Sequence, residues 1–289
     1  MNIREKIRII TELGKMRITF FVSISGSVGY LLVSGTMSLE MLLTVFGIFV
    51  LSSGSAAFNH YQEVPTDAMM RRTENRPLPS GKIDRSEAFT IASSMVLSGL
   101  AILLLFAGTG AAILGVLALI WYNAIYTPMK KATAMAVVPG AVVGALPPAI
   151  GWVAAGGSFF HPQLWALMLF FFIWQIPHFW FLFIIYDKDY KRAGFPTLTE
   201  TYSKPQLARI SYVWVVALAA TTMLIPYFGL NSSLAANVVL FAAGAILVWR
   251  TAGIIKKYSE NRKLKFAFRD INIYVLTVVL VLSIDSFIN

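Results

Sequence analysis

The chain has 289 residues, 57% of them hydrophobic and only 13% charged, with a mean hydropathy of +0.69. Soluble domains carry about 45–50% apolar and about 25% charged residues, so this much apolar surface has no place in water. The net charge of +10 invites a nucleic-acid reading, but the placement of the charges argues against it, and the absence of cysteine excludes disulfides, thiolate nucleophiles and cysteine-held metals.

The opening stretch MNIREKIRIITELGKMR is basic and amphipathic, broken by Glu5 and Glu12. It lacks the apolar run and small-residue cleavage site of a signal peptide and reads as a surface helix leading into a first span. A membrane-crossing helix needs about 20 mostly apolar residues. Nine segments qualify, at about 18–35, 41–58, 88–107, 110–127, 135–155, 163–186, 210–229, 233–249 and 271–288. None alternates as the strands of a closed barrel would. The expected fold is therefore all-α, a single polytopic transmembrane bundle over 1–289. Two four-helix halves, about 15–130 and 135–252, precede a ninth helix at about 271–288.

Nine crossings place all 24 Lys and Arg residues on one side. They precede span one, separate spans two and three, follow spans four and six, and cluster between Arg250 and Arg269. The positive-inside rule makes that side cytoplasmic, with the N-terminus inside and the C-terminus outside. The Arg250–Arg269 cluster reads chiefly as a topology and lipid-contact feature.

Two inner connections carry carboxylates beside a span end. The first, Asn59 to Lys82, places Asn59, Glu63 and Asp67 at intervals of four, one flank of a helix. Two carboxylates and an amide form an oxygen-rich cation site, and such a site suits Mg²⁺ shared with phosphate oxygens. Arg71, Arg72 and Arg76 follow, able to grip phosphate bidentately. Pro65 is expected to kink the helix. The second connection carries Asp187 and Asp189, then Lys191 and Arg192. Two acidic clusters on one face, holding a diphosphate between metal ions, make a metal-assisted ionisation site. The bland alternative is a set of surface ion pairs contributing ~0–1 kcal/mol each. His178, inside an apolar span, is a candidate functional residue. His60 reads as structural, His161 lies on the far side, and Trp152 and Trp165 read as interface anchors.

At these residues the chain resembles the UbiA superfamily of intramembrane prenyltransferases. The resemblance is carried by LGKMR ending at Arg17, by the N-x-x-x-E-x-x-x-D-x-x-M-x-R-T-x-N-R-P-L run from Asn59 to Leu78, and by YTPMKKAT from Tyr126. GALPPAIGW from Gly144, WQIPHF from Trp174 and DYKRAGFP from Asp189 complete it. N-R-P-L and WQIPHF point to the haem-modifying branch, although Met16, Ala136 and Lys188 depart from the usual pattern.

The resemblance implies farnesyl diphosphate as donor, haem B as acceptor and Mg²⁺ as cofactor. Asn59, Glu63 and Asp67 would hold one Mg²⁺, and Asp189 with Asp187 a second. Arg17, Arg72, Lys130 and Lys191 would stabilise the leaving diphosphate, with Arg71, Arg76 and Arg192 as further contacts. Tyr126 would contact diphosphate or screen the allylic cation, and His178 would meet the haem iron, bond a propionate or relay a proton. Membrane lipid and a downstream haem A synthase or terminal oxidase assembly are the implied partners, with no nucleic acid. An aromatic quinone precursor as acceptor, a transporter, and a non-catalytic haem chaperone are the competing readings.

Overall fold

The computed structural model describes residues 2–256 and 261–288. Of the Arg250–Arg269 cluster, Lys257 lies outside the described residues.

A short surface helix, α1 (Ile3–Leu13), is capped by the Asn2 side chain and buries Ile9 and Leu13. The chain then enters α2 (Met16–Ser34) through Lys15 and runs on into α3 (Leu39–Gln62). A brief helix α4 (Val64–Met69) leads into a long polar loop. After it come α5 (Arg85–Ile102), α6 (Gly108–Ile120) and α7 (Val142–Ala154). The second half holds α8 (Pro162–Ile185), the short α9 (Asp187–Arg192), α10 (Lys204–Thr221), α11 (Leu234–Thr251) and α12 (Asn261–Ile288).

Among the described residues eight helical stretches are long and apolar enough to span, where the sequence leads one to expect nine. The difference is Arg85–Met129, a run of 45 residues. A straight helix of that length would extend about 67 Å, twice the hydrocarbon thickness. It folds back at Gly108, whose φ of 84° is open only to glycine at low cost. A side chain at Gly115 would meet Leu100 and Leu103, so the chain has reversed there. The stretch supplies two crossings.

Lipid is as apolar as leucine, so burial alone does not drive these helices together; close approach through small residues does. A Cβ at Gly29 would collide with the Pro148 carbonyl, and one at Gly151 with the carbonyl of Gly26, which fixes α2 backbone-to-backbone against α7. Around that pair α3 packs on α2 and α5, and α6 on α7. Helix α8 joins α7 to α10 and α12, α11 bridges α10 and α12, and α12 returns to α2. Trp152 is a correction to the sequence reading. It is buried in the main core with its indole N–H donating to the Ser158 carbonyl (3.1 Å), because α7 is enclosed on all sides. Trp165, 48% exposed, sits where an interface anchor belongs.

Candidate active site

Helix α3 ends at Glu63, and Pro65 stands in the first turn of α4, where its missing N–H costs nothing. The expected kink therefore falls at Glu63 itself, one turn after Asn59. The bonds Glu63 N–H to Asn59 O (3.0 Å) and Asp67 N–H to Glu63 O (2.7 Å) carry the four-residue spacing across the break. Asn59, Glu63 and Asp67 are all buried, 2%, 6% and 2% exposed.

Each of these groups has its own partner. Asn59 donates to Glu63 Oε2 (2.8 Å) and to Thr127 Oγ1 (3.2 Å), while its Oδ1 accepts from Lys15 Nζ (2.9 Å). Lys130 Nζ lies 2.7 Å from Glu63 Oε1, although without the direction of a hydrogen bond. Arg76, expected as a phosphate contact, pairs with Asp67 at 2.7 Å. Burial opposes ionisation of Glu63, but the Lys130 ammonium, Lys15 and the Asn59 amide outweigh it and hold its pKa below the usual carboxylate value. Burial first, then repulsion from Arg76 and Lys130, pushes Lys15 down to about 7. Lys15 also adopts a left-handed φ of 47°, the one positive-φ residue other than glycine among the described residues, and that turn aims it at Asn59.

The wall beside these carboxylates is aromatic. A π-helical turn, Trp121–Tyr126, re-aims the end of the fourth crossing. Asn123 is bound there to Ser55 and Gln62 of α3, and Tyr126 is buried. The Lys130 ammonium lies 5.1 Å over the Tyr126 ring, and Phe179 of α8 adjoins that ring at 6.0 Å.

The second acidic loop reaches the same place. Met70 packs with Ala193, Phe195 and Tyr190, and Arg72 stacks 4.9 Å over Tyr186. Burial raises the Tyr190 phenol to about 12, and its ring is held edge-on by Phe183 (4.6 Å) and by Phe195 (5.7 Å). It lies within electrostatic reach of Arg72, Glu63, Arg76 and Asp67. Asp187 is engaged by Lys191 (3.1 Å) and by a short hydrogen bond from Thr199. Asp189 is half-buried, and its carboxylate makes no bond among the described residues. Arg17, Arg71 and Arg192 are exposed and are not joined to either cluster. Arg17 instead borders an apolar surface hollow with Phe20, Phe21 and Phe49.

His178 bonds through Nδ1 to Asn272 Oδ1 (2.9 Å), deeper in the bundle. His60 is buried with neither ring nitrogen bonded, and His161 caps α8 at the opposite end. The sequence reading passed over Lys15, Tyr190 and Asn272. Lys15 and Tyr190 stand inside the motifs LGKMR and DYKRAGFP, and Asn272 is a polar residue within an apolar span, the same signal that marked His178.

The site thus joins buried carboxylates, ammonium and guanidinium groups and an aromatic wall at one end of a helical bundle. The sequence profile described as the UbiA prenyltransferase family matches residues 22–276. The chain belongs to that family. A protein named protoheme IX farnesyltransferase from Oleidesulfovibrio alaskensis is 30% identical over 282 residues, covering 98% of both chains. Another of that name, from Geobacter sulfurreducens, is 36% identical over 214 residues, 74% of this chain and 79% of the relative. Among solved structures, a UbiA homologue from Archaeoglobus fulgidus bound to GPP and Mg²⁺ superposes with a TM-score of 0.69. That match covers 95% of this chain and 99% of the other at 17% identity. A digeranylgeranylglyceryl phosphate synthase structure gives a TM-score of 0.79 at 19% identity, covering 99% and 100% of the two chains. These likenesses establish the fold: all-α, membrane-embedded and UbiA-type.

Proposed function

We propose that this prenyltransferase moves the farnesyl group of farnesyl diphosphate to a vinyl group of haem B, making haem O and releasing diphosphate. The observation that carries the acceptor is the full-length similarity to proteins named protoheme IX farnesyltransferase. The chemistry is supported by the buried cluster of Asn59, Glu63 and Asp67 with its three cations.

The donor set fits Mg²⁺. Among the described residues no three His, Cys, Asp or Glu side chains converge as a closed cage. The Glu63 and Asp67 carboxylates and the Asn59 amide oxygen, which face Lys130, Arg76 and Lys15, instead suit a cation that shares its shell with phosphate oxygens. Asn59, Glu63 and Asp67 would hold one such ion, and Asp189 with Asp187 a second. Bound there, Mg²⁺ neutralises the diphosphate and makes it a better leaving group.

The chain's own cations do the rest. Lys130, Lys15, Arg76, Arg72 and Lys191 stand where negative charge grows as the carbon–oxygen bond breaks, and stabilise the diphosphate that takes the electron pair. The Tyr126 face screens the allylic carbon as it becomes positive. The vinyl π pair forms the new carbon–carbon bond, water adds to the carbon left positive beside the porphyrin ring, and the water's proton is released. Apolar helices around the prenyl chain keep water from the allylic carbon until then.

We place the carboxylate end at the cytoplasmic face of a cell membrane, with the N-terminus inside and the C-terminus outside, on the distribution of Lys and Arg. The two four-helix halves are proposed as an ancient duplication. Purified protein given labelled farnesyl diphosphate with haem B or with 4-hydroxybenzoate tests the assignment. A labelled haem product with Mg²⁺, lost with chelator, is expected; label in the benzoate alone would make this a quinone-pathway enzyme.

A further inference from the structure

Two polar side chains meet within the apolar crossings, one on α8 and one on α12. His178 Nδ1 lies 2.9 Å from Asn272 Oδ1. The other end of the amide decides which atom is which. Asn272 Nδ2 sits 2.6 Å from the Phe268 carbonyl oxygen, and a carbonyl only accepts, so the atom there carries hydrogen. The amide oxygen therefore faces the imidazole and needs a hydrogen on Nδ1. A neutral imidazole has one N–H, which leaves the lone pair on Nε2. Among the described residues Nε2 has no hydrogen-bond partner, and it is not sealed in the protein interior.

The surroundings suit a flat aromatic ligand. The imidazole is flanked by Trp174 at 5.0 Å, Phe268 at 4.9 Å and Phe179 at 5.3 Å. Phe179 continues to Tyr126, and Tyr126 to Lys130 and Glu63. One wall thus runs from the carboxylates to the histidine. His178 stands seven residues before the end of α8 at Ile185, about 10 Å along its axis, and Asp187 opens the next helix.

We infer that Asn272 is a positioning residue: it locks His178 in the Nδ1–H tautomer, so that Nε2 ligates the iron of the haem acceptor. This rests on haem B being the acceptor. A hydrogen bond on the remote nitrogen orients the ring and raises the basicity of the ligating one, an effect usually amounting to 10- to 100-fold in metal affinity. Asn272 touches neither iron nor prenyl group, and it acts through the histidine alone.

The test is a titration of the detergent-purified full chain with ferric haem B, read by absorption for affinity and spin state. Wild type should bind with a nitrogen-ligated spectrum. H178A should lose that spectrum and regain it when free imidazole is added. N272L should bind about tenfold more weakly with an altered spectrum. N272D, uncharged in this apolar setting, keeps an acceptor oxygen opposite Nδ1 and an O–H for the Phe268 carbonyl, and should restore both. The inference is overturned if N272L matches wild type, or if N272D is no better than N272L. It is also overturned if H178A keeps the wild-type spectrum while losing transfer, which would make His178 a proton relay. Wild type that binds no haem but prenylates 4-hydroxybenzoate would remove the acceptor assignment as well.

Discussion

Lys130→Met separates what the central ion pair does for stability from what it does for chemistry. Lys130 Nζ and Glu63 Oε1 are 2.7 Å apart, with side chains 13% and 8% exposed, so removing the lysine strands a buried carboxylate. Breaking a buried pair from one side costs about 3–5 kcal/mol. Glu63 keeps its Asn59 bond and stays near Lys15, which places the cost near the lower limit, about 3 kcal/mol. An unfolding entropy of about 2.1 cal/mol/K per residue over this length converts that to a fall in Tm of ~5 °C. Adding Glu63→Gln removes the stranded charge, and the double variant should return to within about 2 °C of wild type. Transfer should not return, because both variants lack a cation where the leaving charge develops, a loss of about 100- to 1,000-fold. Thermal scans in detergent, alongside single-turnover transfer of labelled farnesyl, read the two effects separately. A double variant as unstable as K130M would refute the pairing, and near-normal transfer by K130M would refute the role at the leaving group.

Asp67→Asn should lower transfer about 100- to 1,000-fold while the protein still elutes as a folded species, because Asp67 faces the polar site; comparable activity of wild type and variant would contradict its role. Competitive amine labelling followed by mass spectrometry should give Lys15 a titration midpoint near 7. Because the unfolded amine titrates near 10.5, the unfolded chain binds the extra proton between these values, so this group's contribution to stability improves as pH rises from about 7 to 10.5. Inorganic diphosphate should move the midpoint upward, and a midpoint near 10.5 without it would show that the amine is not enclosed as described. Gly29→Val should lower Tm by several degrees or abolish folding, since its side chain would strike the Pro148 carbonyl; an unchanged Tm would mean that α2 and α7 are not in backbone contact. The chain has no cysteine, so single cysteines introduced at Ser80 and Ser158 can be labelled from either side of the membrane. Protection from an impermeant reagent in intact cells is expected only at Ser80.

The crossings were legible because hydropathy and length alone demand them, and Gly108 could be placed as a turn between two apolar runs. The four-residue spacing of Asn59, Glu63 and Asp67 survived a real break in the helix, since Pro65 falls where a helix begins and not where one continues. What the sequence could not convey is which cation meets which carboxylate. Lys15 and Arg17 look equivalent at a span entrance, yet a left-handed turn at Lys15 points it inward and leaves Arg17 outside. Arg76 and Arg72 likewise divide between Asp67 and the Tyr186 ring through a loop with no periodicity to read. Trp152 was misjudged because an aromatic near a span end has the same local signature whether it faces lipid or a neighbouring helix. Asn272 lies 94 residues from His178, and only packing of α12 on α8 joins them.

The most direct measurement is mass analysis of haem extracted from cells that otherwise lack haem O after this chain is expressed in them. The account predicts a haem heavier than haem B by one farnesyl group and one hydroxyl, absent when Asp67 is replaced by Asn. Haem B alone, in cells where the protein is folded in the membrane and farnesyl diphosphate is plentiful, would contradict it.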